Sequence, residues 1–225
     1  MIRQLCKALT IVVTPIASGL LGLLCGYNLL VIVGGLLTDL SQHTVFFFVG
    51  TVLSLFAVSK FRKRLVFFTT FEHELTHNIW ALLFFRKPIG FHVYAKGHGK
   101  FSHRTGGTFS DLMICLSPYF FPTACFLWLP FHLICKEELL GTYFLVMGIF
   151  FGYQIMSTIH ETGTHQTDIT THGILYSFSI FVPLYIVFHG VILSHLAGGW
   201  TGIANFLILD ALNSGRSLLA LMGWS

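Results

Sequence analysis

The sequence predicts an all-α polytopic membrane protein of about six transmembrane helices, with a short β-hairpin between helices three and four. Three observations carry that expectation. Of the 225 residues, 54% are hydrophobic and only 10% charged, with a mean hydropathy of +0.77; soluble domains carry about a quarter charged residues. Apolar segments near the length needed to cross a hydrocarbon core, about 20 helical residues, recur along the chain. The one long polar connection, Arg86 to Ser110, reads as two extended runs around a glycine-rich turn.

The elements follow in order. The first apolar segment, 9–37, has length enough to tilt, or to break at Gly34-Gly35. It is too long for the apolar region of a cleavable signal and lacks a clear small-residue cleavage site. Segment 44–59 is short and runs into Lys60, Arg62, Lys63 and Arg64. These two segments are expected to form an N-terminal helical hairpin over 1–60. Segments 65–85, 110–135, 139–160 and 174–197 complete the six and set a core over 65–200. From Ile203 to Met222 a weaker apolar pattern with Asp210 and Arg216 predicts an amphipathic tail over 203–225, lying on the membrane surface. The whole chain, 1–225, is expected to be one integral membrane domain.

In the polar connection, Phe91-His92-Val93-Tyr94-Ala95 and Phe101-Ser102-His103 flank Lys96-Gly97-His98-Gly99-Lys100, the pattern of a β-hairpin. Thr105-Gly106-Gly107-Thr108 then breaks the chain, and Ser110 or Asp111 caps the next helix. The net charge of +4 is spread among short loops, which excludes nucleic acid as a partner and leaves the lipid bilayer. With six spans, eight Lys and Arg residues fall on the side of both termini and five on the other, a bias that places the termini in the cytoplasm. Five cysteines form no C-x-x-C pair, and most lie within expected spans, so a disulfide framework is not indicated.

The chemistry concentrates in His73-Glu74-Leu75-Thr76-His77, inside the apolar segment 65–85. Histidines four apart share one face of a helix, so both imidazoles reach a single ion. Zn2+ is the expected cofactor, with Glu74 beside its open position as general base. Ionisable groups at this depth are costly to bury and so mark function. A catalytic zinc takes three protein ligands, and the third is sought in the polar stretch between His160 and His172. Asp168 is the first choice because it stands at the start of the last long apolar helix; His160, Glu161, His165 and His172 compete with it. Glu72 is a candidate to orient a ligand. His43, His132, His189 and His195 read as packed or interfacial residues, and His92, His98 and His103 stand on the hairpin.

The order H-E-x-x-H, apolar half-helix, hairpin over His92-Val93-Tyr94-Ala95 and Gly97-His98-Gly99, Gly106-Gly107, then Leu112 to Tyr119 with a proline resembles one family. These are the intramembrane metalloproteases of the site-2 protease type, in their compact branch without a PDZ domain. The family's third motif carries an aspartate metal ligand, and Gln166-Thr167-Asp168-Ile169 is its best counterpart, without the usual glycine or proline companions. The resemblance implies a zinc endopeptidase in which His73, His77 and Asp168 hold the metal and Glu74 activates water. Its partner is a transmembrane or membrane-adjacent protein substrate, cut inside or at the edge of the membrane. A helical substrate must unwind before attack, and pairing of an extended segment with His92, Val93 and Tyr94 replaces its lost hydrogen bonds. A bacterial inner membrane is the setting implied.

Two other classes fit parts of the pattern. A membrane di-metal oxidoreductase of the desaturase or hydroxylase type would use the twelve histidines, but needs about eight clustered nitrogen ligands and adjacent His-His pairs that the chain lacks. A non-catalytic membrane protein with a remnant site leaves Glu74 unexplained.

Overall fold

A computed structural model describes residues 2–94, 98–103, 107–163 and 166–210 of the chain. Helices dominate. The first, α1, covers Ile2–Thr38 without a break at Gly34-Gly35. After a three-residue turn, α2 runs over Gln42–Leu83, its first turn capped by Ser41, whose Oγ accepts the Thr44 N–H at 3.2 Å. Strands β1, Pro88–Tyr94, and β2, His98–His103, pair antiparallel with Phe91 opposite Phe101 and Val93 opposite Gly99. The hairpin read from the sequence is therefore present.

Helices α3, Thr108–Phe120, and α4, Thr123–Trp128, follow, with a 3-10 turn over Leu129–Ile134 continuing α4. A second 3-10 turn, Glu137–Leu139, leads into α5, Leu140–Glu161. A single turn, α6, Thr167–Thr170, precedes α7, Ile174–Ala204, which continues into a π-helical turn over Asn205–Asp210.

Among the described residues, four helices are long and apolar enough to cross a membrane, or five if α3 and the α4 segment, bent by 85°, count as one broken span. Leu23, Leu30, Val52, Phe56, Leu133 and Leu175 are all more than half exposed, which is costly in water and natural against lipid. The chain fits an integral membrane protein.

The expected count of six is corrected by α2. The segments read as 44–59 and 65–85 are two helical stretches joined without a loop into the single element Gln42–Leu83, across a kink at Phe61. The run Lys60 to Arg64 does not end it. These side chains are exposed on the helix surface, Lys60 over the Phe56 and Phe61 rings and Arg64 over Phe61, and only Phe61 leaves helical geometry, at φ −106°, ψ 19°. The helical path bends there without an intervening loop. Four crossings keep both termini on one side of the membrane, and five, with the bent pair as one span, put them on opposite sides.

Close helix contacts set the frame. A Cβ on Gly148 would collide with the Phe47 carbonyl, and one on Gly152 would lie 2.5 Å from the Thr51 carbonyl. This G-x-x-x-G pair lets α5 run parallel to the first half of α2 at backbone distance. Likewise α1 runs parallel to α7, with Ser18 Oγ donating to the Ser179 carbonyl at 3.0 Å and Gly22 seated on Pro183.

The tail departs from expectation where it is described. Gly198 and Gly199 break α7, Gly199 at φ +60°. The chain then folds back, so that Gly202 packs on the Ser194 carbonyl and Phe206, fully buried, on Gly190. Residues up to Phe206 thus return into the bundle rather than lie on a surface; 211–225 fall outside the described residues.

Candidate metal centre

His73 and His77 project from the second half of α2, as their spacing requires, and α6 brings Asp168 to them. His73 Nε2 lies 3.2 Å from His77 Nε2 and 3.3 Å from Asp168 Oδ2, and His77 Nε2 lies 3.4 Å from that same oxygen. Among the described residues these three form the one group of His, Cys, Asp or Glu with donors close enough to share an ion.

The outer nitrogens fix the tautomers. His77 Nδ1 is 2.7 Å from the Ile114 carbonyl, which only accepts, so this nitrogen donates and a neutral ring turns the lone pair of Nε2 inward. The carbonyl receives no helical N–H because Pro118, four residues on within α3, has none to offer, and it accepts Ser117 Oγ at 2.8 Å besides the imidazole. His73 Nδ1 lies 2.9 Å from Glu161 Oε2, again an acceptor. With both rings neutral, two lone pairs and a carboxylate oxygen face one another, a donor set suited to a cation.

The spacing suits one. Around a tetrahedral ion with bonds of about 2.0–2.1 Å, ligand atoms stand about 3.3–3.4 Å apart, and the observed separations are 3.2–3.4 Å. The residues present fit a divalent metal.

Asp168 is held from several sides. Tyr119 Oη donates to its Oδ2 at 3.4 Å, and Cys115 Sγ lies 3.4 Å from its backbone carbonyl. Ile169, fully buried, anchors α6, and its carbonyl accepts Ser177 Oγ at 2.9 Å. Asp168 does stand in a helical turn, though not that of the last long helix. Gly173, at φ +95°, separates α6 from α7.

Glu74 is buried, and its Oε2 has no hydrogen-bond partner among the described residues. The hairpin covers it. A Cβ on Gly99 would stand 2.6 Å from the Glu74 Cδ, so β2 passes directly over the carboxylate. His92 and Tyr94 are exposed on β1 and Val93 is half-buried; none of the three joins the ligand group.

Of the competitors for third ligand, Glu161 contacts His73 from outside, His160 lines an adjoining cavity, and His172 is outside the group. His165 and the side chains of His98 and His103 lie outside the described residues. Glu72 accepts Thr76 Oγ1 at 3.4 Å rather than orienting a histidine. Sequence reasoning missed Tyr119, Cys115 and the Ile114 carbonyl, all in an apolar helix; the proline at 118 was the one available signal.

Fold and centre together define a helical chain of membrane type with a buried His-His-Asp donor set. Comparison with protein-family models, with curated proteins and with solved structures finds no match for this chain.

Proposed function

We propose that the protein is an intramembrane zinc endopeptidase that hydrolyses peptide bonds of membrane-embedded or membrane-adjacent proteins. The observation that carries the reading is the convergence of His73 Nε2, His77 Nε2 and Asp168 Oδ2 at tetrahedral spacing, beside a buried carboxylate with an unpaired oxygen. His73, His77 and Asp168 would hold the ion, which when bound supplies Lewis acidity and a bound water of lowered pKa. The donor set alone also suits iron(II). Glu74, next to the first ligand, favours hydrolysis, since a carboxylate without a protein partner is free to take a proton from water and pass it to the leaving amine.

The hairpin supplies the substrate's backbone partners. An extended segment that adds along His92, Val93 and Tyr94 exchanges helix hydrogen bonds for intermolecular ones. Gly99 over Glu74 keeps that strand close to the base.

The family resemblance implies a bacterial inner membrane. With five crossings, Arg3, Lys7, Arg86, Lys87, Lys96, Lys100 and Arg104 fall on the side that also receives the Asp168 connection, against Lys136 and Arg216 on the other. The positive-inside rule then puts the N-terminus and the centre near the cytoplasmic face.

Glu74→Gln tests the mechanism. It should keep the metal and lower cleavage of a membrane-embedded reporter by about 10²–10⁴-fold, the usual contribution of general acid–base catalysis. Undiminished cleavage by that variant would remove Glu74 as the base.

A further inference from the structure

One carboxylate near the centre is tied to a ligand without belonging to the ligand group. Glu161 ends α5 with its side chain a fifth exposed. Its Oε2 faces His73 Nδ1 at 2.9 Å, while its Oε1 accepts Ser157 Oγ at 3.2 Å from one turn back. The same residue lines a cavity of about 150 Å3 of mixed character, with Arg62, Thr70 and His160 beside Val58 and Leu65, where α2 bends over the end of α5.

We infer that Glu161 is a positioning residue for the centre: it fixes the tautomer and ring orientation of His73 and so sets how tightly the three ligands hold their ion. The inference rests on the metal-centre reading above. A carboxylate accepts and does not donate, so His73 Nδ1 carries the hydrogen and Nε2 is left as the ligand atom. The negative partner also makes that imidazole a stronger donor, and partners of this kind are typically worth 10–100-fold in metal affinity. His77 Nδ1 faces the Ile114 backbone carbonyl, an uncharged acceptor, in the same place. The two histidines are thus unequal, and His73 is the one whose strength the fold can adjust. Ser157 and Glu161 both belong to α5, the helix that Gly148 and Gly152 seat against α2. Through Glu161, the seating of α5 reaches the metal. The cavity leaves room for the carboxylate to swing away once the Ser157 contact is lost.

The test uses the full chain purified in detergent, with zinc and cobalt themselves as probes. Zinc affinity is measured by chelator competition, and the cobalt form by its visible absorption. Glu161→Gln should bind zinc about 10–100-fold more weakly and shift the cobalt bands. Glu161→Asp should recover part of the affinity, Ser157→Ala should cost a few-fold, and the neighbouring His160→Ala should change neither readout. Wild-type affinity and cobalt bands in Glu161→Gln, with metal lost in His73→Ala, would overturn the inference and leave the centre standing. If Glu161→Gln does not fold, unchanged readouts in both Glu161→Asp and Ser157→Ala would overturn it instead. A wild-type chain that binds neither metal would sink the centre and the inference together.

Discussion

Two groups of histidines occupy opposite ends of α5. At its C-terminal end His73 and His77 turn Nε2 toward Asp168, and each Nδ1 is held from behind, by Glu161 and by the Ile114 carbonyl. Near its N-terminal end, roughly 27 Å away along the helix, His132 and His195 pack edge-on at 4.6 Å between ring centroids. There His195 Nε2 meets Tyr143 Oη at 3.2 Å, and His43 lies against the Phe144 ring. Both groups bury imidazoles in an apolar bundle, but only the first directs three ligand atoms at one point. In such a chain the presence of histidine says little. What marks a metal centre is convergence of the inner nitrogens together with a fixed acceptor behind each outer one.

The sharpest break of that comparison is a pair of substitutions. His77→Ala should abolish high-affinity zinc binding and cleavage together. His195→Ala should lower thermal stability by about 2–4 kcal/mol, the range for opening a cavity in a packed core, and leave zinc stoichiometry unchanged. Zinc lost from both variants would erase the distinction between the two ends. A smaller effect is expected at the hairpin, which serves only the first end. Val93→Pro removes a strand donor and should reduce cleavage of an embedded reporter about tenfold or more, with zinc content intact; unchanged cleavage would argue against strand addition. The mildest test lies between the ends. Gly148→Ala pushes α5 off the Phe47 carbonyl and should cost about 1–3 kcal/mol of stability, while Gly26→Ala, whose nearest neighbour is Ile186 at 3.9 Å, should cost almost nothing. Thermal unfolding of the two in one detergent would show the contrast.

Much of this was legible in the sequence because local chemistry decided it. Helical spacing brought His73 and His77 to one face, and the alternation around Gly97-His98-Gly99 made a hairpin. Asp168 was found by its place in the only polar stretch before the last helix. The break at Phe61 falls between the segments read as 44–59 and 65–85, but the basic residues at 60, 62, 63 and 64 did not reveal that helix runs on through them without a loop. The fold-back after Gly198-Gly199 was missed for a similar reason. That Phe206 finds its pocket on Gly190 is a matter of tertiary packing, not of pattern. The orienting carboxylate was sought beside His73 in sequence, at Glu72, yet it comes from Glu161 on another helix. Ligands follow helical periodicity; the groups that hold them follow the packing of helices, which a single chain does not spell out.

The most direct test of the central claim is the metal content of the purified chain beside its His73→Ala and Asp168→Ala variants. One zinc per chain in the wild type, lost from both variants, is the result this account predicts. Zinc retained in full by Asp168→Ala, or two irons per chain in the wild type, would contradict it.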